Sequence, residues 1–248
     1  MAGLQDQLIR ATTPSPPKII LYGQAGVGKS TFAGRAKAAM IDCEDGAGNI
    51  AGLVRTPYLA TWPEQLRWLQ EFIQSPPEGT HAVAVDTLDW MVHRIEEHVS
   101  IDLDPKNAGS LMSTMGSSHG GYFKARDMVK NIVYRELFPM FNAIIASGRP
   151  VILLAHASNA KLTTPEGFDM KVAAPDLPEY LLQTFIEWAD AVLYANHVNG
   201  ERTVQTQGTG VILAKNRYDL EPVEPFDWAH IANKIKQHVP RGSAKTSE

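Results

Sequence analysis

The stretch Gly23-Gln24-Ala25-Gly26-Val27-Gly28-Lys29-Ser30-Thr31 satisfies G-x-x-x-x-G-K-[ST] at every defined position. The apolar run Lys18-Ile19-Ile20-Leu21-Tyr22 precedes it and reads as a buried parallel strand, and Ser30 to Ala39 reads as a helix. Only that context, strand then glycine loop then helix, makes the pattern a phosphate site. The glycines let backbone N–H groups converge on phosphate oxygens, and the dipole of the following helix favours the anion. Lys29 is then expected on the β- and γ-phosphates and the Ser30 hydroxyl on Mg²⁺. A chain built around this loop is an α/β protein that takes a nucleoside triphosphate.

The remaining sequence supplies the sheet that such a loop needs. Ala39 to Glu44 reads as a second strand with acids at its C-terminal end, and His81 to Asp86 as a third. Between them, Thr61-Trp62-Pro63-Glu64 is a capping box opening an amphipathic helix over Pro63 to Gln74. A helix follows to Val99, and Tyr122 to Ser147 reads as a longer one. Val151 to His156 is a fourth strand, followed by a helix over Glu179 to Trp188 and a strand over Asp190 to Asn196. The Asn199-Gly200 turn, two strands near Thr203 and Val211 to Ala214, and a helix over Pro225 to Val239 complete the pattern. Nearly all-apolar strands alternating with helices predict a mainly parallel sheet covered on both faces, with an antiparallel edge. Asp102 to Gly121 and Ala157 to Pro178 show no period and read as two long loops.

With 248 residues, one ATPase-sized domain over 18–239 is expected, with a polar leader over 1–17 and a basic, frayed tail over 240–248. The leader has no apolar signal core, and no apolar stretch approaches the roughly 18 residues that span a bilayer. A single cysteine, Cys43, excludes an internal disulfide and suits a reducing, cytoplasmic setting; beside Met40 and Ile41 it reads as a buried structural thiol. Net charge of −4 argues against gross charge-driven nucleic-acid binding, so any such contact must be local. The stretch from Lys106 to Arg135, which includes Lys124, Arg126 and Lys130, is the basic exception.

Three residues at strand ends carry the candidate chemistry. Asp86 closes an apolar strand, the placement of a carboxylate that holds hydrated Mg²⁺ beside Ser30. Glu44 ends the intervening strand on the same sheet edge, where a carboxylate can deprotonate the water attacking a γ-phosphate; Asp45 and Asp89 are its rivals. Asp89, one turn beyond Asp86, reads as a capping or packing residue. His156 ends the fourth strand and could sense the γ-phosphate, releasing the loop that follows.

This order of parts resembles the RecA-like recombinase ATPases over Lys18 to Arg217. Met40-Ile41-Asp42-Cys43-Glu44 is similar to their strand ending in a catalytic glutamate, and Val151 to His156 to the strand whose last polar residue couples γ-phosphate to a DNA-binding loop. Val211-Ile212-Leu213-Ala214-Lys215-Asn216-Arg217 resembles their late strand with a basic-Asn-basic triplet. The resemblance implies ATP with Mg²⁺, self-assembly into a ring or filament with Lys215 and Arg217 reaching a neighbour's ATP, and single-stranded DNA on the two loops. Lys161, Phe168 and Lys171 are the DNA candidates on the second loop, and Lys124 and Arg126 the next ones. The compact length is more similar to the small phage-encoded RecA-like single-strand annealing proteins of the fourth Sak group, which implies a single-strand-binding protein as a further partner and no membrane.

Other readings fit less well. A regulatory GTPase would need an N-K-x-D motif, which is absent, and a small-molecule kinase an arginine-rich lid, whereas Asp102 to Gly121 holds no arginine. A helicase-type motor and a non-hydrolysing ATP-binding regulator stay open.

Overall fold

The computed structural model describes residues 15–104, 106, 114–121, 123–163 and 169–238, with side chains omitted at 162 and 163. Most of the expected leader, the whole basic tail, much of the first expected loop and Phe168 lie outside the described residues.

In chain order the elements are β1 (Lys18–Gly23), α1 (Lys29–Arg35), β2 (Ala38–Asp42), β3 (Val54–Arg55), α2 (Trp62–Gln74), β4 (Ala82–Asp86) and α3 (Leu88–Glu97). They continue as α4 (Lys124–Ile132), α5 (Phe138–Ala146), β5 (Val151–Thr163), β6 (Asp169–Pro175), α6 (Glu179–Trp188) and β7 (Ala191–Val198). The chain then forms β8 (Glu201–Gln205), β9 (Lys215–Asn216), β10 (Val223–Pro225) and α7 (Trp228–Gln237). The sheet order is β10-β8-β7-β1-β5-β4-β2-β3, with β6 paired to β5 and β9 to β7. Strands β7, β1, β5, β4, β2 and β3 run parallel; β8, β10, β6 and β9 join antiparallel. The expected α/β architecture, a mainly parallel sheet with an antiparallel edge, is the observed one.

The central parallel strands β1, β2 and β4 are buried on both faces, and period two sorts their side chains. Ile20, Tyr22, Val83, Val85, Val151 and Leu153 point to one core, which α2 to α6 cover through Leu69, Met91, Val129, Phe141 and Phe185. Ile19, Leu21, Ala38, Ala82, Ala84 and Ala191 point to the other, where α1 and α7 pack Phe32, Ile231 and Ile235. The alanines on that second face leave room for helix backbones to approach closely. At the head of α2, the Thr61 backbone N–H donates to the Glu64 carboxylate at 3.2 Å, one arm of the capping box, and the Thr61 hydroxyl also donates to that carboxylate at 2.8 Å.

Four elements differ from expectation. The helix after the glycine loop stops at Arg35, because Lys37 turns at φ 51° and Ala38 already pairs with Ala82. The long helix is interrupted by a π turn at Val133–Leu137. Pro139 lies two residues beyond and lacks the N–H that would bond back to Arg135, so the helix widens there. Val211 to Ala214 is not a strand; Ile212 makes one bridge to Ala173.

The largest correction concerns Ala157 to Pro178. There β5 continues past His156 and folds back as β6, in register from Ala157↔Pro175 to Thr163↔Asp169. Val172 and Ala174 are buried while Asp169 and Lys171 face solvent, so the polar composition hides an alternating strand pair.

Candidate nucleotide site

The phosphate loop joins the C-terminal end of β1 to α1. Gly26 and Gly28 have φ of 80° and 102°, which only glycine adopts without strain. A Cβ on Gly23 would stand 2.5 Å from the Ala195 carbonyl oxygen of β7, so that position also admits nothing larger. Val27 is buried in the α1-side core and pins a loop whose residues Gln24, Ala25 and Gly26 are exposed, with Thr31 exposed on the first turn of α1. Lys29 is buried and donates to the Gly23 and Gln24 carbonyls at 3.1 and 3.3 Å. Burial pulls its pKa down, while Asp86, Asp89 and Glu44 act the other way.

Three strand ends converge beside this loop because β5, β4 and β2 follow β1 in the sheet. Asp86, at the end of β4 and 2% exposed, accepts from the Ser30 hydroxyl at 2.6 Å. Burial pushes its carboxyl up to about 6, and Glu44 and Asp42 add to this against the Ser30 hydrogen bond and Lys29. A buried carboxylate raised by neighbouring acids, with a hydroxyl already on it, fits a divalent cation between Ser30 and Asp86. When bound, Mg²⁺ would neutralise charge on the β- and γ-phosphates.

Glu44 is presented by a turn that buried Asp42 builds. The Asp42 carboxylate accepts the backbone N–H groups of Glu44 and Asp45 at 3.2 and 2.7 Å and the Arg55 guanidinium at 2.8 Å. Thr87 donates its hydroxyl to Glu44 Oε2 at 3.2 Å, and His156 Nε2 lies 4.0 Å from the same oxygen. Asp89 takes two hydrogen bonds from His156, from the backbone N–H at 3.0 Å and from Nδ1 at 2.8 Å. The Asp89 hydrogen bond raises the imidazole pKa against burial. One ligand atom each of Glu44, Asp89 and His156 lies within 4.8 Å of the other two. A carboxylate held by a hydroxyl, facing an imidazole oriented by a second carboxylate, can accept a proton from a water and polarise the group beside it.

Asp89 is therefore not the capping residue expected from its spacing; it orients His156. Asp42 and Thr87 likewise escaped the sequence reading. Their one signal is position, since Asp42 pairs with Asp86 across β2 and β4, and Thr87 directly follows Asp86.

Lys215 and Arg217 are not gathered here. Strand β9 pairs with the start of β7, Val192↔Lys215, at the sheet edge opposite the phosphate loop. Lys215 Nζ donates to the carbonyls of Ile186, Glu187 and Ala189 at 2.8, 3.2 and 2.6 Å. These close α6, whose last carbonyls have no helical partner and attract a cation. Within the chain Lys215 therefore caps α6. Arg217 pairs with Asp190 at 3.0 Å, with its side chain 55% exposed.

The DNA candidates lie elsewhere. Lys161 and Lys171 face each other across the β5–β6 pair, and Lys161 is bound to Asp169 at 2.8 Å. Lys124 opens α4, and the Arg126 guanidinium stands 4.4 Å from the exposed Phe123 ring and 5.4 Å from Tyr180.

Fold and site together define a P-loop nucleotide-binding core on a mainly parallel α/β sheet. The family AAA_24, described as an AAA domain, matches residues 15–218, and the chain belongs to it. Among solved structures, the flagellar accessory protein FlaH from Methanocaldococcus jannaschii is similar over 91% of this chain and 85% of its own, with 13% identity and a TM-score of 0.38. No curated protein matches the chain. Among the described residues, no helix is long and apolar enough to cross a membrane.

Proposed function

We propose that this protein hydrolyses ATP with Mg²⁺ in response to single-stranded DNA and promotes annealing or strand exchange, in the manner of the small phage RecA-like annealing proteins. The observation that carries the reading is His156. It faces Glu44, is fixed by Asp89, and is the last residue of β5 before the β5–β6 extension. A change at the γ-phosphate would move the imidazole, and the extension that starts one residue later would move with it. Lys29 holds the β- and γ-phosphates, Ser30 and Asp86 the cation, and Glu44 takes the water proton. The loop N–H groups from Gly23 to Thr31 cradle the phosphates. The extension presents Lys161 and Lys171 to a nucleic-acid backbone, with Phe168, outside the described residues, as a stacking candidate and Lys124 and Arg126 as further cationic contacts.

Assembly belongs to the same proposal. With Lys215 tied to α6, Arg217 is the finger candidate, because its half-exposed pair with Asp190 can exchange for a neighbour's phosphate. A single-strand-binding protein remains a proposed partner. Phosphate release with and without single-stranded DNA tests the reading. Wild type should be stimulated by DNA and Lys29→Ala should be silent; turnover by Lys29→Ala near the wild-type rate would overturn it.

A further inference from the structure

Arg202 lies near the phosphate loop, and no motif announces it. It lies on β8, directly across from His197 of β7. A Cβ built on Gly28 would stand 3.0 Å from Arg202 Nη1, so the guanidinium lies against the last glycine of the loop. The residue is exposed, and among the described residues its side chain makes no hydrogen bond or ion pair. The neighbouring cleft, about 440 Å³, is lined by Gln24, Ala25, Gly26 and Val27 on one side and Tyr194 to His197 on the other. A cation held without an anion beside a phosphate-binding backbone is poised for one.

The sheet order says which part of the nucleotide it meets. The residues that would handle the γ-phosphate, Glu44 and His156, lie on the β2, β4 and β5 side of β1. Arg202 and the cleft lie on the β7 and β8 side. A triphosphate spanning the loop with its γ end at Glu44 therefore brings its α end and its nucleoside towards β7. We infer that Arg202 is a nucleotide-binding residue acting within its own subunit, contacting the α- and β-phosphates, while the cleft between Gln24–Val27 and Tyr194–His197 receives the sugar and base. This rests on the phosphate-loop reading above. It makes the β7–β8 hairpin a wall of the site rather than a mere sheet edge.

Calorimetric titration of the full chain with ATP, ADP and adenosine, for wild type, Arg202→Ala and Arg202→Lys, tests it. A lost charge-assisted phosphate contact should weaken ATP and ADP by similar factors, about 10–100-fold, and leave adenosine unchanged. Lysine should restore part of the loss, because it keeps the charge without the bidentate fork. The KM for ATP of Arg202→Ala should rise by a similar factor, since an interaction equal in ground and transition states is read in KM. Unchanged ADP affinity in Arg202→Ala would overturn the inference. So would a collapse of kcat with ATP affinity intact, which would place the guanidinium on the γ-phosphate. In both cases wild-type binding abolished by Lys29→Ala leaves the phosphate-loop reading standing. Wild type that binds neither nucleotide overturns that reading together with this one. Arg202 is exposed, and matching circular dichroism of the variants confirms that the fold is retained.

Discussion

Replacing Asp89 tests whether its contact with His156 is an ionic lock. In Asp89→Asn the amide oxygen can still take the His156 backbone N–H, now 3.0 Å away, but the carboxylate facing Nδ1 at 2.8 Å is lost. A hydrogen bond to a charged group contributes about 1.5–3 kcal/mol. The Asp89 side chain is 13% exposed and the His156 side chain 31%, so water screens the pair in part and the lower half of that range is expected. For a chain of this size each kcal/mol moves Tm by about 2–4 °C, which gives a fall of about 3–9 °C. The sign of the pH dependence follows from the direction of the shift. Asp89 raises the imidazole pKa, so the folded state holds its proton more tightly than the unfolded chain does. The stabilisation is fully present below the unfolded histidine pKa of about 6.5 and fades as pH rises through the higher folded value. Differential scanning calorimetry of wild type and Asp89→Asn at about pH 6 and pH 9 reads this directly. The Tm gap should be wider at the lower pH. An equal gap at both, or a wider one at pH 9, would refute the ionic lock and leave a neutral hydrogen bond.

Other outcomes follow from the same geometry. Burial holds the Asp86 carboxyl up at about 6, so proton and Mg²⁺ should compete there, and Mg²⁺-dependent ATP binding should weaken below about pH 6; constant affinity down to pH 5 would contradict this. Lys215→Ala strips the cation from three helix-end carbonyls and should cost about 1–3 kcal/mol of stability, read by urea unfolding, with little effect on turnover. Mixing Lys29→Ala with Arg217→Ala protein should restore some ATP hydrolysis if Arg217 acts across subunits, and none at any ratio despite co-assembly if it does not. Labelled single-stranded oligonucleotide should bind Phe168→Ala more weakly by about 1–3 kcal/mol, and unchanged affinity would move the base contact away from the second segment.

The parts of this fold that declare themselves in sequence are those whose pattern is local. Gly23 to Thr31 carries its own register, and the apolar runs around Ile20, Val83 and Leu153 are continuous because both sheet faces are covered. The β5–β6 pair was illegible for the opposite reason. One of its faces meets water, so Lys161, Asp169 and Lys171 dilute the apolar signal of Val172 and Ala174 to that of a loop. Asp89 shows a second limit. Its partner His156 is 67 residues away, and only the β4–β5 register, which sets Asp86 beside Leu154, brings them together. The carbonyls that Lys215 caps are likewise unmarked, because the end of a helix carries no sign in the sequence of the carbonyls it leaves open. Arg202 carries no motif; the β7–β8 turn at Asn199-Gly200 was readable, but where it folds back over Gly28 was not.

The most direct test of the account is phosphate release by wild type, Glu44→Gln and Asp89→Asn under saturating ATP and Mg²⁺. Glutamine keeps the oxygen that accepts from Thr87 but cannot take the proton of the attacking water. Glu44→Gln should therefore lose about 10²–10⁴ in turnover while still binding ATP, and Asp89→Asn should lose less. Near-normal turnover by Glu44→Gln beside a dead Asp89→Asn would contradict the account and make Asp89 the base.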